Sequence, residues 1–117
     1  MAYVDGYVLP VPKAKLDAYW KMAELGRTVW MEHGALTYCE ALADDVPYGE
    51  QTSFPRAVQA TEDEVVIFSF ITYRDRAHRD EVNAKVFADE RMNMDMANAP
   101  FDGKRMIWGG FQGKIEA

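Results

Sequence analysis

The chain has 117 residues, of which 49% are hydrophobic and 27% charged, with a net charge of −6. That length fits one domain with its own core, here expected over residues 1–117, and the composition is that of a globular chain rather than a disordered one. The charge is spread evenly, −3 in residues 1–60 and −3 in residues 61–117. Such a balance argues against nucleic acid, whose phosphates call for a basic footprint.

Cys39 is the only cysteine, so no intrachain disulfide is possible and a reducing compartment suits the chain. No apolar run approaches the roughly 20 residues of a membrane span. The first residues read as structure rather than as a basic leader with an apolar core, and the cytoplasm is the expected location.

The apolar period alternates between two and about 3.6 along the chain. Residues 3–11 read as a strand, with Tyr3, Tyr7 and Leu9 on one face and Val4 and Val8 on the other; Pro10 and Pro12 are expected to end it. Residues 13–33 read as a long helix. Leu16, Tyr19, Trp20, Ala23, Val29 and Trp30 fall near one face, and Gly34 suits the position after the helix.

Residues 36–43 form the second strand, followed by a turn-rich loop over 46–55. Residues 57–61 either begin the third strand or precede it; its clear part is 65–73. Asp75 is placed to cap a helix running to about Ala88, and Asp89 a further turn through Met96. Residues 104–112 form the fourth strand. The order β-α-β-β-α-β predicts an α+β, ferredoxin-like fold: a four-stranded antiparallel sheet with both helices on one face.

The strands are apolar on both faces. In the third, Val65, Ile67, Ile71 and Tyr73 oppose Val66, Phe68 and Phe70; in the fourth, Met106 and Trp108 oppose Ile107 and Phe111. Two helices cover one face, and the other would exceed the apolar patch a monomer tolerates. A homodimer joined face to face is therefore expected, forming a dimeric α/β barrel. The plainer reading is a sheet covered by its own 46–55 loop.

The strong catalytic signatures are absent: no GxxxxGK[ST], GxSxG, HExxH or CxxC occurs. Gly109, Gly110 and Gly113 have no following helix and read as a bulge or close packing rather than a phosphate cradle. Glu40 shares a strand face with Leu36, Tyr38 and Leu42, and a carboxylate among apolar neighbours suits a general acid or base. It is one catalytic candidate; the plainer reading is a glutamate at a sheet edge or paired to an arginine. Asp5 poses the same question between Tyr3 and Tyr7, with an edge position as its plainer reading.

His33, at the end of the first helix, is the second catalytic candidate, against a capping role. His78 and Arg79, among Arg74 and Arg76, make a candidate anion corner at a helix start, against a solvated run balanced by Asp75, Asp80 and Glu81. Tyr38 joins them as a candidate ligand-binding residue. Two histidines in separate elements make no metal site, so neither metal nor cofactor is expected. Met92, Met94, Met96 and Met106 line a pocket or fill a core. The three tryptophans read as core or interface anchors and Cys39 as a buried, inert thiol.

Seven segments together resemble a YbaA-like bacterial family of unknown function: YVDGYVLPVPK at 3–13, EHGAL at 32–36, DDVP at 44–47, TSFPR at 52–56, RAHR at 76–79, VNAKV at 82–86 and PFDGKRM at 100–106. The resemblance spans nearly the whole chain and implies the dimeric α/β-barrel architecture. It supplies no catalytic residue, because the family has no established activity. Some members carry a label tied to signal recognition particle RNA, which the acidic charge speaks against. The wider architecture includes cofactor-free monooxygenases, haem-degrading enzymes, isomerases and stress-induced dimers, an analogy of fold that does not fix function.

Two readings follow. One is a small-molecule-binding protein or cofactor-free monooxygenase or isomerase acting on a compact aromatic-like compound. The other is a non-catalytic dimeric binding or stress-response module, with RNA binding a distant third. Cavity volume separates the first two: about 300 Å3 or more beside Glu40 or His33 favours the first.

Overall fold

A computed structural model describes residues 1–93 and 98–117. The expectations for Met94 and Met96 lie outside the described residues. Strand β1 (Tyr3–Pro12) enters a single 3-10 turn, Lys13–Lys15, and then helix α1 (Leu16–Glu32). Gly34 takes a φ of +112°, which a glycine adopts without strain, and turns the chain into β2 (Thr37–Leu42). After the one-turn helix α2 (Phe54–Ala57) come β3 (Glu64–Tyr73), α3 (Arg76–Ala88), the 3-10 turn Glu90–Met92 and β4 (Ile107–Gln112). None of the described helices is long and apolar enough to cross a membrane.

Asp75 caps α3 as its position predicts, its Oδ1 accepting from the His78 amide at 2.8 Å. Asp89 does the same for the following turn, accepting from the Arg91 amide at 3.0 Å. Three boundaries differ from the pattern. The first strand passes through Pro10, which pairs with Val66; β4 ends its pairing with β1 at Val8–Ile107, so that flank of β1 asks no amide of Pro10. The fourth strand starts late because Asp102 bends the chain, accepting from the Lys104 amide at 2.9 Å and from Arg105 Nε at 3.0 Å. Within the expected loop, α2 forms because Ser53 Oγ accepts from the Arg56 amide at 3.1 Å and Pro55 suits a first turn.

All pairings are antiparallel and the strand order is β2-β3-β1-β4. The helices cover one face. There Leu9, Val11 and Ile67 pack with Tyr19 and Ala23 of α1, while Ile71 and Tyr73 pack with Val29, Val82 and Val86. Each fully buried aliphatic side chain contributes about 1.5–3 kcal/mol, so these two clusters hold the helices down.

The opposite face is covered at one end only. Val58, from the chain after α2, packs on Val8 and Val66, and the Phe54 ring meets Phe68 edge-on at 6.0 Å. Phe68 is only partly shielded by it, and Ile107 and Phe111 are exposed beyond it, Phe111 to 66%. Cys39 lies half-buried as a free thiol.

Candidate functional site

Between the helices and the sheet the packing is incomplete. Ala23 and Gly26 of α1, Ala84 of α3 and Ser69 of β3 are small residues facing one space, and larger neighbours prop it open. The result is a cavity of about 660 Å3, within the range that holds compact organic ligands. Its walls are mainly apolar: Leu9, Met22, Trp30, Ile71, Phe87, Met92, Phe101, Met106 and Trp108 all contribute.

Register decides which polar groups reach the floor. Glu40 pairs with Ser69, Ser69 with Tyr7, and Tyr7 with Trp108. These four residues form one row across all four strands, and all four line the cavity. Cross-strand neighbours sit about 5 Å apart at Cβ, so the row is a contiguous strip.

Glu40 belongs to the edge strand β2, but among the described residues no arginine pairs with it. Its Oε1 accepts from the Tyr19 hydroxyl and its Oε2 from the Tyr38 hydroxyl, each at 2.7 Å. Burial, helped by the adjacent Glu40 charge, pushes both phenols far above their ordinary pKa, so they stay protonated and donate. Each carboxylate oxygen keeps lone-pair capacity for one more partner. Gly26 makes room for this arrangement, since a Cβ there would come within 2.7 Å of the Tyr38 hydroxyl oxygen.

A second polar cluster borders the cavity. Arg79 lines it, donates to the Tyr3 hydroxyl at 3.2 Å and lies 3.8 Å from Asp5 Oδ1. Its Nε is 3.2 Å from Asp80 Oδ1, outside hydrogen-bond geometry. Asp5 stands in the interior strand β1 rather than at an edge, and it is fully buried. Burial raises its pKa, against the pull of Arg79. Asn83 ties the cluster to the cavity wall: its Nδ2 donates to Asp5 Oδ2 at 3.4 Å, and its Oδ1 accepts from Trp30 Nε1 at 3.0 Å. The Arg79 charge is met by two carboxylates, so this corner offers an incoming anion little net attraction.

Of the five residues singled out by sequence, Glu40, Tyr38 and Arg79 line one cavity. His33 and His78 do not. The His33 ring lies 2.9 Å from Asp89 Oδ2, joining the end of α1 to the turn after α3. The His78 ring is buried, and its Nδ1 accepts from the Arg74 amide at 3.0 Å, bracing the entry to α3. The start of α3 is occupied by its own Asp75 cap, leaving no vacant anion corner. Tyr7, Tyr19 and Ser69 also carry polar groups of the cavity. The signal for Tyr7 and Ser69 was their register with Glu40, which alternation within single strands does not reveal. Among the described residues no three His, Cys, Asp or Glu side chains gather as a metal site.

The chain belongs to the family described as "Protein of unknown function (DUF1428)", which matches residues 2–103. Among its relatives, it is 47% identical over 116 residues to the uncharacterized protein YbaA of Escherichia coli strain K12, an alignment covering 99% of each chain. The YbaA proteins of Escherichia coli O157:H7 and Shigella flexneri match to the same extent. The kinship that the seven segments suggested is thus established, and it is to bacterial proteins of unknown function.

Proposed function

We propose that this protein binds a compact, largely apolar and uncharged small molecule in the cavity between sheet and helices, and that Glu40 transfers a proton on it. One observation carries the reading: a cavity of about 660 Å3 has a carboxylate in its floor, held by two phenols and open to a further partner. An apolar enclosure strengthens each electrostatic interaction within it, which favours general acid–base work. The self-neutralised Arg79 corner is the reason for assigning an uncharged ligand.

The test is a thermal-shift titration with 2-naphthol, a rigid bicyclic probe. Binding to the native state at a hundredfold excess over Kd adds about 2.7 kcal/mol and raises Tm by several degrees. Ser69→Leu, which fills the floor, should abolish the shift while the variant stays folded. Absence of any shift in the wild type counts against the reading.

We also propose that two copies pair through their helix-free faces, each subunit being ferredoxin-like and the pair a dimeric α/β barrel. The strand order and the exposed Phe68, Ile107 and Phe111 support this. Sedimentation at micromolar concentration checks it, a lone protomer being the contrary result. The free Cys39 suits the cytoplasm, where thiols stay reduced.

A further inference from the structure

Two hydroxyls in the cavity floor have no task in the folded chain. Ser69 is only 6% exposed, and neither its Oγ nor the Tyr7 hydroxyl has a hydrogen-bond partner among the described residues. Both residues line the cavity, so both hydroxyls are free to donate to a molecule bound there. Ser69 adjoins Glu40 in the cross-strand row and Tyr7 adjoins Ser69, in the order acceptor, donor, donor. Ser69 is the shortest of the three and stands between Glu40 and Tyr7 in a row that lines the cavity.

We infer that Tyr7 and Ser69 hold the oxygen of a carbonyl substrate while Glu40 moves a proton at the adjoining carbon, making the reaction a carbonyl-directed isomerisation or tautomerisation. This inference rests on the Glu40 reading above and adds the substrate class and two residues to it. The Glu40 carboxylate takes a proton from the carbon next to the carbonyl. The C–H electron pair becomes the C=C bond of an enolate, and the carbonyl π pair moves onto oxygen, where the two hydroxyls donate to it. Protonated Glu40 then returns the proton to the same carbon or, where a C=C bond extends the enolate to a dienolate, to the far (γ) carbon as that C=C shifts, and C=O re-forms. No electron leaves the substrate, so no co-reactant is needed.

The donors suit that charge. Burial, and next the Asp5 carboxylate, raise the Tyr7 pKa far above that of an ordinary phenol, so it meets an oxyanion as a neutral O–H. Donors placed where charge develops are worth about a hundredfold or more in rate. Tyr19 and Tyr38 are positioning residues, which aim the Glu40 oxygens without touching the reacting carbon.

The experiment follows exchange of the C1 protons of 2-tetralone for deuterium in D2O by NMR, with 2-naphthol binding by thermal shift measured on each variant. The wild type should accelerate exchange over buffer. Glu40→Gln should lower that acceleration at least about a hundredfold, as loss of a general base does. Tyr7→Phe should lower it about a hundredfold and Ser69→Ala about tenfold, with Tm nearly unchanged. If Glu40→Gln abolishes exchange while Tyr7→Phe and Ser69→Ala match the wild type, the oxygen-holding pair is overturned and the Glu40 base stands. If 2-naphthol binds but the wild type does not speed exchange, the carbonyl class is overturned and the binding site stands. If 2-naphthol does not bind, both fail.

Discussion

The two faces of the sheet have nearly the same apolar content and opposite fates. On the helix side, large residues alternate with Ala23, Gly26, Ser69 and Ala84, and the layers meet around a cavity. On the other side, Ile107 and Phe111 stand in the open beyond the cover given by Val58 and Phe54, and Phe68 is only partly shielded by it. The difference teaches that apolar content alone does not decide whether a face is covered within the chain, while side-chain size decides whether a cover leaves a hole. Chemistry then belongs to the face where small residues and polar groups coincide.

The largest effect is expected on the open face. Phe111→Asp puts a charge, twice by symmetry, into the proposed pairing surface and should weaken association at least about a hundredfold by sedimentation. On the helix face the largest effect belongs to the buried cluster. Asp5→Ala removes the buried partner of Arg79, whose side chain is only 14% exposed, leaving it the half-exposed Asp80 carboxylate, and should cost about 3 kcal/mol or less in urea unfolding.

Asp5 also predicts a pH signature. Burial raises its pKa above the ordinary 3.8, so between that value and the higher native one the folded chain holds a proton that the unfolded chain releases. Its contribution to stability is therefore most favourable below about pH 4 and is lost as pH rises through the native pKa. Subtracting the stability profile of Asp5→Asn from that of the wild type should reveal this slope. Glu64 has the opposite sign. The Arg105 guanidinium, bonding it at 2.6 and 2.7 Å, holds it at about 2 against an ordinary 4.5, so its stabilisation is full above 4.5 and disappears as pH falls toward 2.

The smallest effects separate site from scaffold. Ser69→Leu should leave stability within about 1 kcal/mol or raise it by filling space, while removing the probe. His33→Ala breaks a partly exposed pair and should cost less than about 1 kcal/mol, with 2-naphthol binding unchanged.

Much of this was legible in the sequence. The order of strands and long helices, the Asp75 cap, the Gly34 turn and the apolar character of both faces follow from local periodicity and from residues with strong local preferences. The boundaries at Pro10 and Lys104 did not, because they depend on where a neighbouring strand ends and on the Asp102 side chain. Glu40 stood out as a carboxylate on an apolar strand face. Its partner Tyr19 did not, because a buried tyrosine on a helix reads as core until the helix is docked on the sheet. The histidines drew attention for their chemistry, but position assigned them to bracing. Tyr7 and Ser69 became visible only when register set them in one row with Glu40.

The most direct test of the central claim is a 2-naphthol titration followed by amide NMR. A ligand between sheet and helices should shift Tyr7, Gly26, Glu40 and Ser69 together and leave Val4, Phe68 and Phe111 unmoved. Shifts confined to the helix-free face, with the Glu40 row silent, would contradict it.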